Sequence, residues 1–108
     1  MKLFFLLICG FVLLSGCRKQ AELSACMQSK IESFSNNSCQ YGAKVKEYIF
    51  QGQTVYVFSI GYCAADFQAG VLDRNCNSLG GLGGITGNTT INGEDFSTAT
   101  YIRTVWQR

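Results

Sequence analysis

A chain of 108 residues holds one domain at most, and its composition, 47% apolar and 15% charged, excludes a disordered polar tail. A net charge of only +2 is too small to grip a phosphate backbone, so nucleic acid is excluded as a partner. The chain has no histidine, which removes the usual general base, the commonest metal ligand and the usual pH switch together.

Met1-Lys2 precedes an apolar run from Leu3 to Leu14, and small residues follow it. A positive start, about a dozen apolar residues and a small-residue end are the build of a secretory signal peptide. A membrane-crossing helix would need about 20 apolar residues. Leu14-Ser15-Gly16-Cys17 resembles the lipobox of bacterial lipoproteins. That resemblance implies cleavage before Cys17, a diacylglycerol on its thiol and an acylated new amine. Two or three chains anchor stably where one is marginal, since each buried methylene contributes about 0.8 kcal/mol. Arg18-Lys19 follow without an aspartate, which resembles the default outer-membrane address. The expected boundaries are a signal peptide over 1–16, a lipidated tether over 17–22 and a single disulfide-stabilised domain over 23–108. The leader takes Lys2 with it, so the mature chain would carry +1.

Cys9 leaves with the leader and Cys17 takes the lipid, so Cys26, Cys39, Cys63 and Cys76 remain as disulfide candidates. An even number in a small exported chain reads as two bridges. Neither a zinc knuckle nor a Cys-x-x-Cys redox motif is present among these four. Three connectivities are open. The sequence-local pairs, Cys26–Cys39 and Cys63–Cys76, close at the least entropic cost and are expected.

Leu23, Met27, Ile31 and Phe34 recur at helical spacing, and Asn36-Asn37-Ser38 stops the helix with a residue that tolerates a left-handed C-cap. Ala43–Phe50 and Thr54–Ile60 are rich in β-branched and aromatic residues, with Gln51-Gly52 as a tight hairpin turn. Thr98–Gln107 is a further strand, with Ile102 and Trp106 on one face and Tyr101 and Val105 on the other. Between Gly61 and Ser97 regular structure fades, and Gly80–Gly87 reads as a glycine-rich loop. The expected fold is α+β: one N-terminal helix packed on a small antiparallel sheet of three or four strands, with a long disulfide-braced glycine-rich loop.

Several pieces, in order, then resemble a small lipoprotein domain of unknown function seen in Bacteroidota. They are Cys26-x-x-x-Lys30-Ile31-x-x-Phe34, Tyr48-x-x-x-Gly52-x-x-Val55-Tyr56, Cys63 with Asp66, Val71-Leu72-Asp73-x-Asn75-Cys76, Gly83–Gly87 and Asp95-Phe96. The resembled pattern has Cys-Cys-Asp where this chain reads Cys63-Ala64-Ala65-Asp66, and a cysteine before its Asp-Phe where this chain has Gly93 or Glu94. Cys39 looks like an addition. The resemblance implies a fold and a location, with no activity to carry over.

Asp73-x-Asn75-x-Asn77 alternates oxygen ligands as calcium loops do, but lacks the glycine and the bidentate glutamate of an EF-hand. An Asx-turn cluster is the plainer reading, and no metal is expected. The glycine loop has no Gly-Lys-Ser/Thr, so no nucleotide is expected. Glu94-Asp95 are the only adjacent carboxylates. With no histidine and its thiols oxidised, the chain is expected to be no enzyme and to hold no cofactor. Large aromatics are abundant: Tyr41, Tyr48, Tyr56, Phe58, Tyr62, Tyr101 and Trp106. One helix covers only one sheet face, so Tyr48, Tyr56 and Trp106 are candidates for a binding surface. The expected function is a non-enzymatic binding module of the cell envelope, on the outer membrane facing the periplasm, held to the membrane by lipid on Cys17. Its partner would be a periplasmic protein or envelope polymer. The second reading is a small enzyme inhibitor or immunity-type protein, and the third is an envelope-polymer hydrolase.

Overall fold

Ser24 opens the first element: its hydroxyl accepts from the Met27 N–H at 3.1 Å, capping a helix, α1, over Ala25–Asn37. The computed structural model describes residues 22–63 and 66–108, so the signal-peptide and lipidation expectations, Cys17 included, lie outside the described residues. The predicted apolar stripe faces the sheet, with Met27 and Ile31 buried and Leu23 and Phe34 half-buried beside them. No helix among the described residues is long and apolar enough to cross a membrane. The helix ends differently from the expectation. Ser38 caps it in extended conformation rather than an asparagine in the left-handed region. The Arg108 guanidinium instead donates to the Ser35 carbonyl at 2.7 Å and to the Cys39 carbonyl at 3.2 Å. A cation on the last carbonyls satisfies orphan acceptors and opposes the helix dipole.

The sheet has five antiparallel strands in one layer, not three or four. Strands β1 (Lys44–Phe50), β2 (Gln53–Ser59), β3 (Gln68–Asp73), β4 (Ser78–Gly83) and β7 (Thr100–Gln107) are ordered β4-β3-β2-β1-β7. A second, two-stranded ribbon pairs β5 (Thr90–Ile91) with β6 (Glu94–Asp95). Gln51 and Gly52 both take positive φ between the paired Phe50 and Gln53, the two-residue turn that matches strand twist. Asn92-Gly93 repeats that turn between β5 and β6.

β4 escapes a propensity reading because glycine is a poor strand former. Its missing side chains are replaced by those of its neighbours. The Gln68 side chain lies where a Cβ on Gly81 would sit, and the Ile91 Cδ1 lies 3.0 Å from a Cβ position at Gly80. The glycines admit these close approaches.

Both sheet faces are covered. On the helix side, Val45, Tyr56 and Phe58 join Met27 and Ile31, and the Phe34 ring meets Phe58 and Trp106 edge-on at 5.1 and 5.8 Å. On the other side Phe50, Val55, Val57 and Val71 pack under Ile91, with Phe96 and Leu82 at the margin. The segment from Gly84 to Ala99 therefore takes the place of a second helix as the cover of that face. β7 departs from the predicted alternation. Its register against β1 slips twice, leaving Val105 and Ile102 without partners. The first slip lets Val105 and Trp106 both pack on the helix side.

The bridges are Cys26–Cys76 and Cys39–Cys63, which corrects the sequence-local pairing. The 13 residues of α1 put Cys26 and Cys39 at opposite ends of a rod of about 20 Å. A disulfide tolerates Cα atoms only about 4.4–6.8 Å apart. Each bridge instead ties one end of the helix to the sheet: Cys26 to the β3–β4 turn and Cys39 to the segment after β2.

Candidate functional site

Strand directions sort the loops into two ends. The end at the start of α1 carries the turns 51–52 and 73–77, and Ser24 Oγ donates there to the Arg74 carbonyl at 2.8 Å. The opposite end collects residues 38–43, the segment after β2, the start of β3 and the turn after β4. Four large apolar side chains project there: Tyr41, Tyr62, Phe67 and Ile85 are 74, 78, 63 and 83% exposed.

This rim has a braced foundation. The Tyr62 N–H donates to the Tyr41 carbonyl at 3.1 Å and the Cys39 N–H to the Ile60 carbonyl at 2.9 Å, beside the Cys39–Cys63 bridge. Gly42 lets the Tyr62 ring lie against its backbone, where a Cβ would fall 2.4 Å from the ring. Gly61, at φ +108°, sits where a Cβ would fall 2.6 Å from the Tyr41 carbonyl oxygen. Two hollows flank Tyr62. One, of about 470 Å³, lies toward Tyr41 and the disulfide; the other, of about 380 Å³, lies toward Phe67 and Gly83-Gly84. Rigid rings beside hollows suit contact with a partner, since truncating a tyrosine or tryptophan anchor is often what costs an interface most.

The residues chosen from sequence are placed otherwise. Tyr56 is buried under α1, Trp106 is half-buried against Phe34, and Tyr48 stands on the other sheet face between Phe96 and Tyr101 at 5.1 and 5.7 Å. The structure does not bring these three together. Tyr41 and Tyr62 were visible in the sequence as aromatics without a strand, a signal that favours exposure. Phe67, an aromatic in the stretch without a predicted strand, carried the same signal, and the aliphatic Ile85 did not.

Asp73, Glu94 and Asp95 serve the fold. Asp73 accepts at 2.9 Å from the N–H groups of both Asn75 and Asn77, the Asx turn weighed against a calcium loop. Glu94 accepts from the Thr98 hydroxyl at 2.7 Å and from Gln51 at 3.0 Å, while Asp95 caps a short 3₁₀ turn through the Ser97 N–H at 2.8 Å. Each bond favours the charged form. The Asn77 N–H foremost holds Asp73 below its ordinary range, the Thr98 hydroxyl does so for Glu94, and the Ser97 N–H for Asp95. Burial pushes Tyr48 and Tyr56 upward.

Depressed carboxyl values mean that the unfolded chain binds more protons in acid, so stability falls as the pH drops below the ordinary values of 3.8 and 4.5. Raised tyrosine values mean that the unfolded chain loses protons first, so stability falls as the pH climbs above 10.0. The urea midpoint is therefore expected to stay flat between about pH 5 and 9 and to drop on both sides. A step near pH 6–7 would contradict this account.

Fold and rim together define a small α+β domain, stapled at both ends of its helix, with an apolar end and with Asp73, Glu94 and Asp95 bonded within or beside its turns. The chain belongs to the family described as a domain of unknown function, DUF6970, which matches residues 32–108. No curated protein and no solved structure matches it significantly.

Proposed function

We propose that this protein is a lipid-anchored, non-enzymatic binding module of the bacterial cell envelope, held by Cys17 on the outer membrane and facing the periplasm. The observation that carries the reading is the exposed rim of Tyr41, Tyr62, Phe67 and Ile85 at the end of the domain away from residue 22. A chain tethered through residues 17–22 enters at the start of α1, so the rim faces away from the bilayer. Oxidised thiols and the absence of histidine leave little for acid–base or nucleophilic catalysis.

Intact-mass analysis is expected to find residues 1–16 removed and acyl chains on Cys17. Cross-linking in intact cells is expected to capture a discrete partner. The variant Tyr41→Ser/Tyr62→Ser/Phe67→Ser is expected to lose that capture without a change in melting temperature, because all three side chains are mostly exposed. Capture that survives the triple substitution would overturn the rim as the contact surface. Loss of an enzyme's inhibition on the same substitution would favour the inhibitor reading over the binding module.

A further inference from the structure

Beside α1 the sheet leaves a groove of about 280 Å³ walled by Phe34, Phe58 and Leu72, with Gly70 in its floor. β3 turns Leu72 toward the helix and Val71 away from it, so position 70 faces the helix side too. A Cβ built there meets nothing within 4 Å. Glycine at 70 is thus a missing core side chain: any larger residue would extend the helix-side packing across β3 and fill the groove.

The mouth is as informative as the walls. Lys30 and Ser33 line it, one helical turn apart on the same face of α1, and both are exposed. Lys30 has no ion-pair partner among the described residues, and no acidic residue lines the groove. An ammonium and a hydroxyl can both donate to the two oxygens of one carboxylate, and a charge-assisted bond of this kind is the stronger sort.

We propose that this groove binds a medium-chain acyl carboxylate, its chain along Phe34, Phe58 and Leu72 and its head on Lys30 and Ser33. The site is separate from the aromatic rim, and its test does not depend on the rim. Decanoate, kept below its micelle-forming concentration, is the probe, titrated into the purified protein and followed by NMR. Saturable shifts at Phe34, Phe58 and Leu72 are expected. Shortening the chain should weaken binding about fourfold per methylene lost from contact. Decanol should bind about tenfold more weakly than decanoate, and Lys30→Met should bring decanoate down to the decanol level while leaving decanol unchanged. Gly70→Val, which suits a strand and fills the floor, should abolish both. Absence of saturation, equal binding of decanoate and decanol, or binding that persists in a folded Gly70→Val variant would each overturn the proposal. Should Gly70→Val not fold, the Lys30→Met comparison still decides it.

Discussion

Removing the Cys26–Cys76 bridge, as Cys26→Ala/Cys76→Ala, is expected to lower the unfolding free energy by about 4 kcal/mol, because the bridge spans 50 residues of chain. The shorter Cys39–Cys63 bridge, spanning 24, is expected to contribute about 3 kcal/mol. A domain of this size has about 5–15 kcal/mol in total, so losing the longer bridge should remove a large share of its stability while leaving a fold that can still be titrated. Urea titration of the two double variants measures the difference. Non-reducing peptide mapping checks its premise, since a fragment joining residues 26 and 39 would refute the connectivity. The variants should also part company in function. Loss of Cys26–Cys76 detaches the helix start from the sheet, far from the rim. Loss of Cys39–Cys63 loosens the support of Tyr41 and Tyr62 and should cost partner capture even where the domain stays folded.

The sequence-local pairing could have been excluded from the sequence by setting two of its readings against each other, which leaves two connectivities, of which the structure has Cys26–Cys76 with Cys39–Cys63. A helix carrying Met27, Ile31 and Phe34 on one stripe cannot bring Cys26 to Cys39, whatever loop entropy favours. The helix and strands β1, β2 and β7 were legible because their signals are periodic or dense. Val55–Phe58 are all buried because β2 is central and covered on both faces, which is why an unbroken apolar run appears there. β3 and β4 were not legible. Gln68-Ala69-Gly70 and Ser78–Gly83 have few apolar side chains, and the Gln68 and Ile91 side chains fill the space over Gly81 and Gly80 of β4. Most of the rim could have been read for the opposite reason: Tyr41, Tyr62 and Phe67 are large side chains that no predicted strand could absorb. Choosing Tyr48, Tyr56 and Trp106 instead followed from assuming one bare sheet face: the helix itself covers Tyr56 and Trp106, and the cover over Tyr48 is made of turns, which have no period to read.

Ile91→Ala tests that cover, and about 3 kcal/mol of destabilisation is expected. Ile91 is 1% exposed and lies over Phe50, Val55, Val57 and Val71, yet it comes from a stretch of threonine, asparagine and glycine that reads as turn. Its side chain also occupies the space that Gly80 leaves open, so truncation empties a site on β4 as well as on the sheet face. Ile85, six positions earlier in the same segment, is 83% exposed, and Ile85→Ala should change stability by less than about 0.5 kcal/mol. The pair separates two pictures of residues 84–99. A loop that only hangs beside the sheet would make the two substitutions alike. A loop that closes a second core makes them differ by the cost of a buried aliphatic side chain, and a matched effect in chemical denaturation would reject that core.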